Sequence, residues 1–292
     1  MGAIILCAAI VAGCGDGGGS SNADGVDGSP IASTADRYGY DLATASLTPV
    51  YELVPEHKDI RDDYARDLLA QRCLEGVVDY TPITPDVVSP FSDYRTGQRV
   101  FNEEIAAQWG YSATRVNPLG HGPLPPGVTV TPAIDEAMRE CGRETDERLG
   151  QPPQMLLGEI EAAGWDALST SEELDAAAAA WRSCMAPAGV VDLPLRPSGT
   201  ASPSVSTPGA MVPDAQGNLQ SDANVAPSER EIEVAVADAR CREESGYTAT
   251  ELRVRAEAEL EAIGRNLEAF DAVRDDYQQY ARGIDDVIAE LG

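Results

Sequence analysis

Residues Trp181–Asp192 read WRSCMAPAGVVD, and Arg72–Asp79 read RCLEGVVD. In both, a cysteine closes a helical run, Leu or Met follows it, small residues break the helix, and the chain leaves as Val-Val-Asp. Each copy has a second cysteine further on, in a charged or Ala-rich helical run: EAMRECGRET around Cys141 and VADARCREES around Cys241. The same helix–cysteine unit thus occurs twice. It frames the chain as mainly α: a helical bundle of two disulfide-linked helix pairs, 47–150 and 151–292, with long Pro/Gly-rich loops and a long C-terminal helix.

Composition agrees with that frame. The chain has 292 residues, of which 43% are apolar and only 5% aromatic, so its core must be built from Ala, Leu and Val, which suits close-packed helices. The formal net charge of -28 argues against a basic face for nucleic acid or anionic lipid, and favours solubility and cationic partners. Lys58 is the sole lysine among many arginines, and with so much Ala, Gly and Asp the composition suggests a GC-rich bacterial gene.

Apolar spacing and caps place the helices. KDIRDDYARDLLAQRCLE, 58–75, puts Ile60, Tyr64 and Leu68 on one face and Ala65, Leu69 and Cys73 on another, with Gly76 as the stop. A Pro-rich passage, 80–97, reads as an ordered loop. Asn102 caps a short helix ending before Gly110. Thr131-Pro132 opens the helix whose Ile134, Ala137, Met138 and Cys141 share one side. A further helix covers 153–168. Thr170/Glu173, Ser228/Glu231 and Thr248/Glu251 each match the S/T-x-x-E capping box. Residues 193–227 read as linker. From Thr248 to Leu291 apolar residues recur every three or four positions, predicting one long helix that Gly264 and Gly283 could bend; packing on its own chain is the favoured reading of its seam, and a dimeric coiled coil is the rival.

The N-terminus has a different character. Ala3–Gly13, AIILCAAIVAG, is too short to span a bilayer and reads as the apolar core of a signal peptide, 1–13; a buried N-terminal helix is the rival reading. No Lys or Arg precedes it, which we read as a true start further upstream. The following residues, 14–46, begin Gly/Ser/Asp-rich and aperiodic, and predict a flexible tether. Val11-Ala12-Gly13-Cys14 resembles the lipobox of bacterial lipoproteins. That resemblance implies cleavage before Cys14 and a diacylglycerol on its thiol, anchoring the protein to the outer face of the cell membrane.

Cys7 would leave with the signal and Cys14 would carry lipid, leaving Cys73, Cys141, Cys184 and Cys241. An even number in an exported chain argues for disulfides. Three pairings are open, and the internal echo favours Cys73–Cys141 with Cys184–Cys241. A zinc site is the rival use, but no CxxC or CxxH spacing occurs.

Taken together, VAGC, RVFNEEIAAQWGYS, AWRSCMAPAG, PSEREIEVAVADARCREESG and the C-terminal helix with Arg265-Asn266-Leu267-Glu268 resemble a group of exported lipoproteins of GC-rich Gram-positive bacteria. The group has no assigned activity, so the resemblance implies location and architecture; an accessory role beside an envelope transporter or cell-wall component is the expectation it motivates.

Catalytic signatures are missing: there is no G-x-S-x-G, P-loop, HExxH or Rossmann glycine pattern, and no cofactor motif. Asp24–Gly28 and Asp214–Asn218 lack the EF-hand ligand order. His121, within LGHGPLPPG, reads as a turn residue rather than a general base. Acidic neighbours such as Asp62–Asp63 and Glu103–Glu104 diverge by roughly 100° on a helix, which suits solvated faces. The expectation is therefore a non-catalytic surface lipoprotein that binds an envelope partner through its C-terminal helix or Pro-rich loops. The alternative is a carboxylate-dependent cell-wall hydrolase.

Overall fold

The computed structural model describes residues 29–58, 61–83, 101–111, 124–125, 127–151, 154–207, 211–213, 219–221 and 226–292. The expected signal, Cys14, residues 14–28 of the tether, His121 and most of the Pro-rich passage lie outside the described residues.

Among the described residues the architecture is helical, apart from a short antiparallel ribbon that pairs Met211–Pro213 with Leu219–Ser221. Two consecutive helices form the spine: α9, Tyr247–Arg265, and α10, Leu267–Leu291. The expected single helix is therefore two. Neither glycine makes the bend: the chain breaks at Asn266, which leaves helical geometry at φ -136° and ψ 38°. Gly264 serves another purpose. A Cβ there would come within 2.6 Å of Thr34 Oγ1, so its bareness lets another helix cross closely.

That crossing helix is α1, Pro30–Tyr38, inside the stretch expected to be tether. Residues 30–38, which composition assigned to a flexible tether, are helical instead. Proline in the first turn favours the helix start, and Gly39 closes it in left-handed geometry. Ala35 then buries against Ala256 and Leu260, while Tyr38 meets Phe270 edge to face at 5.3 Å. Three residues on one short helix face, Ile31, Ala35 and Tyr38, are too few to stand out among so many Ser, Thr and Asp.

Helix α2, Pro49–Leu53, and a 3-10 turn over Pro55–Lys58 cover the junction of α9 and α10. Their Val50 and Val54 join Leu157, Ile160, Ile263, Phe270 and Tyr277 in the central core. Leu157 and Ile160 come from α6, Gln154–Thr170, which lies along α9. The spacing of Phe270, Val273, Tyr277, Tyr280, Ile284 and Val287 gives α10 one buried face. It packs on α3, Arg61–Cys73, through Ala65 and on the end of the helix Pro132–Leu149 through Leu149. The C-terminal seam is thus satisfied within the chain, as expected.

The caps confirm most predicted helix starts. Asn102 accepts Ile105 N–H at 2.9 Å to open α4, Glu103–Trp109, and Thr131 accepts Ile134 N–H at 3.3 Å to open α5, Pro132–Leu149. Ser171, not Thr170, opens α7, Glu172–Met185, by accepting Leu174 N–H at 3.1 Å. Ser228 opens α8, Glu229–Glu244, as expected. At the start of α9 the predicted Thr248/Glu251 box is not used: Gly246, left-handed at φ 69°, joins α8 to α9, and the helix begins before Thr248.

The expected modules, 47–150 and 151–292, are not separate bodies. Helix α4, from the first, packs on α8 of the second, and α10 returns from the second to cover α3 of the first. Apolar faces without a partner in their own half explain the exchange, since each must be buried somewhere.

Candidate functional site

Both favoured cysteine pairs are disulfides. Cys73 at the end of α3 joins Cys141 in α5, and Cys184 near the end of α7 joins Cys241 in α8, with Cα separations of 5.7 and 5.6 Å. The bonds close loops of 68 and 57 residues, each worth about 4 kcal/mol in the chain-entropy model.

The echo holds side chain by side chain. The residue after the first cysteine, Leu74 or Met185, is 1% exposed in both units. Gly76 and Gly189 then turn the chain with φ of 80° and 65°, a region that strains other residues. Both helix pairs run antiparallel. In one, Arg66 meets Asp146 while Cys73 meets Cys141; in the other, Leu174 meets Tyr247 while Met185 and Val234 share a cluster with the disulfide.

The units differ one turn before each cysteine. Trp181, three residues before Cys184, is 1% exposed and donates its indole N–H to Asp238 at 2.8 Å. Asp238, three residues before Cys241, also accepts Tyr111 O–H at 2.9 Å and two bonds from Arg242, each 2.8 Å. Arg242 in turn lies 4.9 Å from the Phe101 ring centre and donates to the Ser198 carbonyl. A buried carboxylate supplied with this many donors is fully compensated, and the indole fills the space between α7 and α8.

In the α3–α5 unit the corresponding positions are Ala70 and Met138. There the structure has a hollow of about 360 Å³, open on one side, whose walls include Ala70, Leu74, Met138, Cys141 and Thr145. Arg66 stands at its edge, bound to Asp62 at 2.8 Å, Asp146 at 2.7 Å and the Tyr280 hydroxyl at 2.7 Å. Asp67, also at the edge, accepts Tyr80 O–H at 2.6 Å and Ile83 N–H at 2.9 Å. The Arg66 hydrogen bond holds the Asp146 carboxyl below the usual carboxylate range. The acids at the hollow are thus engaged with neighbours rather than aimed together at a common point.

A second polar cluster lies under α2, and no sequence signal had marked it. His57 Nδ1 is 3.0 Å from the Tyr277 hydroxyl, and Nε2 is 3.6 Å from Glu161, longer than a hydrogen bond. Burial, then the Glu161 charge, pushes the Tyr277 phenol up to about 12. Nearby, Glu259 is fully buried, accepts Val50 N–H at 3.1 Å and pairs with Arg255 at 3.1 Å. The Arg255 guanidinium stacks 4.2 Å from the Trp165 ring centre. Burial raises the Glu259 carboxyl, outweighing the pull of Arg255. This cluster fixes α2 and α6 on the spine. His121, the histidine weighed in the sequence, and the Asp214–Asn218 stretch lie outside the described residues.

No family model, curated protein or solved structure matches this chain.

Proposed function

We propose that the protein is a non-catalytic lipoprotein, held on the outer face of the cell membrane by a diacylglycerol on Cys14, and that it acts by binding an envelope protein. The observation that carries this reading is the pair of disulfides, each bracing two helices. Such bonds persist in oxidising compartments and give a small-residue core the rigidity a binding scaffold needs. The hollow beside Cys141 has a mixed apolar and polar lining whose acids already have partners, and this supports binding over carboxylate hydrolysis. No helix of the described residues is long and apolar enough to cross a membrane, so attachment in this reading depends on the lipid. The partner surface cannot be the α10 seam, which is consumed by the core.

Mass spectrometry of the protein extracted from membranes, together with a Cys14→Ala variant, tests the proposal. The expected result is a diacylglycerol-modified Cys14 at the mature N-terminus and release of the variant from the membrane fraction. An unmodified Cys14, or a variant that stays on the membrane, overturns the anchor. Clearing of peptidoglycan by the purified protein would replace the binding reading with the hydrolase.

A further inference from the structure

The two helix pairs repeat each other in cysteine position, helix direction, buried residue after the cysteine and left-handed glycine. They part where one carries Trp181 and the other Ala70. In the α7–α8 pair that position holds an indole in nearly complete burial. In the α3–α5 pair it holds a methyl group beside a hollow of about 360 Å³, ample for one ring system. We propose that this hollow is a binding site for a flat aromatic side chain presented by the protein's partner, seated where Trp181 sits in the other pair. The inference rests on the binding reading above and names the chemistry the partner brings.

Three features favour this occupant. Ala70, Leu74 and Met138 supply an apolar part of the lining, where a methionine thioether adapts to an aromatic edge, while the polar Asp67 and Asp146 beside it are already bonded to Tyr80, Ile83 and Arg66. Arg66 at the edge brings a guanidinium, a cation that an aromatic face attracts, as Arg242 does beside Phe101 in the other pair. The opening on one side suits a side chain entering from a partner's surface. A free small ligand is ordinarily enclosed over most of its area. Met138 replaces Asp238 as the residue facing the ring, so the site asks for an aromatic face without requiring an indole N–H.

N-Acetyl-tryptophanamide is the probe, with N-acetyl-leucinamide as control, titrated into the disulfide-bonded protein while backbone and methyl NMR signals are followed. The expected result is saturable shifts at Ala70, Leu74, Met138 and Thr145, with a dissociation constant on the order of millimolar. Signals of Trp181 and Val234 should stay still, and the leucine control should bind at least about tenfold more weakly, a difference of roughly 1.4 kcal/mol. In Ala70→Trp, the new ring should occupy the site, abolishing the shifts without lowering the melting temperature. Absence of saturable shifts in the native protein, equal binding of the leucine control, or a melting temperature lowered in Ala70→Trp (a hollow already filled by other chain) would each overturn the proposal. Those outcomes leave the Cys14 anchor and the disulfide scaffold untouched, so this inference can fail while the binding reading stands.

Discussion

Asp238 accepts bonds from an indole, a phenol and a guanidinium while 2% exposed, and its worth lies in what its removal would strand. Asp238→Ala leaves Arg242 charged in a nearly dry site, and should cost about 3–5 kcal/mol by urea denaturation. Trp181→Ala removes the ring that fills the α7–α8 interface and should cost about 3–5 kcal/mol in the same assay. Glu259 and Asp146 predict opposite pH behaviour. The Glu259 carboxyl is raised by burial, so its contribution is present below the unfolded value, about 4.3, and is lost as pH rises through the folded one. In Glu259→Gln, stability should therefore fall less between pH 4 and 7 than in the native protein, although the absolute stability is lower because Arg255 loses its counter-charge. Asp146 is lowered by Arg66, so its contribution is present above about 3.9 and is lost as pH falls through the folded value. Asp146→Asn should flatten the acid limb of a melting-temperature profile.

Removing either disulfide should expose how far each helix pair leans on it. Cys73→Ser/Cys141→Ser and Cys184→Ser/Cys241→Ser should each lose about 2–5 kcal/mol. The first pair should lose more cooperativity, because no indole fills its interface. These elements were largely legible in the sequence. The repeated cysteine, glycine and Val-Val-Asp pattern favoured the observed pairing over two others, Asn102, Thr131 and Ser228 marked helix starts, and the period of three or four gave the helical C-terminal stretch, though as one helix rather than two. Other features could not be read. Helix α1 hides among polar residues because a single packed face of Ile31, Ala35 and Tyr38 makes no long period. The break at Asn266 has no proline, and the period runs straight through it. The Thr248/Glu251 match misled because capping-box letters recur by chance in Glu-rich sequence. The hollow and the His57 cluster depend on residues distant in sequence, and only the register between copies hinted that Ala70 occupies the place of Trp181.

The exchange of helices makes one body of two similar halves. Helix α4 lies on α8 and α10 on α3, so neither half buries its apolar faces alone. Truncation before Leu267 should therefore abolish the cooperative thermal transition of the whole chain, not merely of its second half, as scanning calorimetry would show. The same arrangement makes α10 a poor handle for mapping partners by deletion, and surface substitutions around Ala70 are the sounder choice. Arg66 and Tyr280, 214 positions apart, touch in the finished protein. The side of α3 that α10 covers is therefore closed only by the last helix of the chain. The sulfur bridges follow a different order. Each joins two cysteines consecutive among Cys73, Cys141, Cys184 and Cys241, on helices that pack together without α10. Pairing each cysteine with its next neighbour from the N-terminal side thus already yields the native bonds.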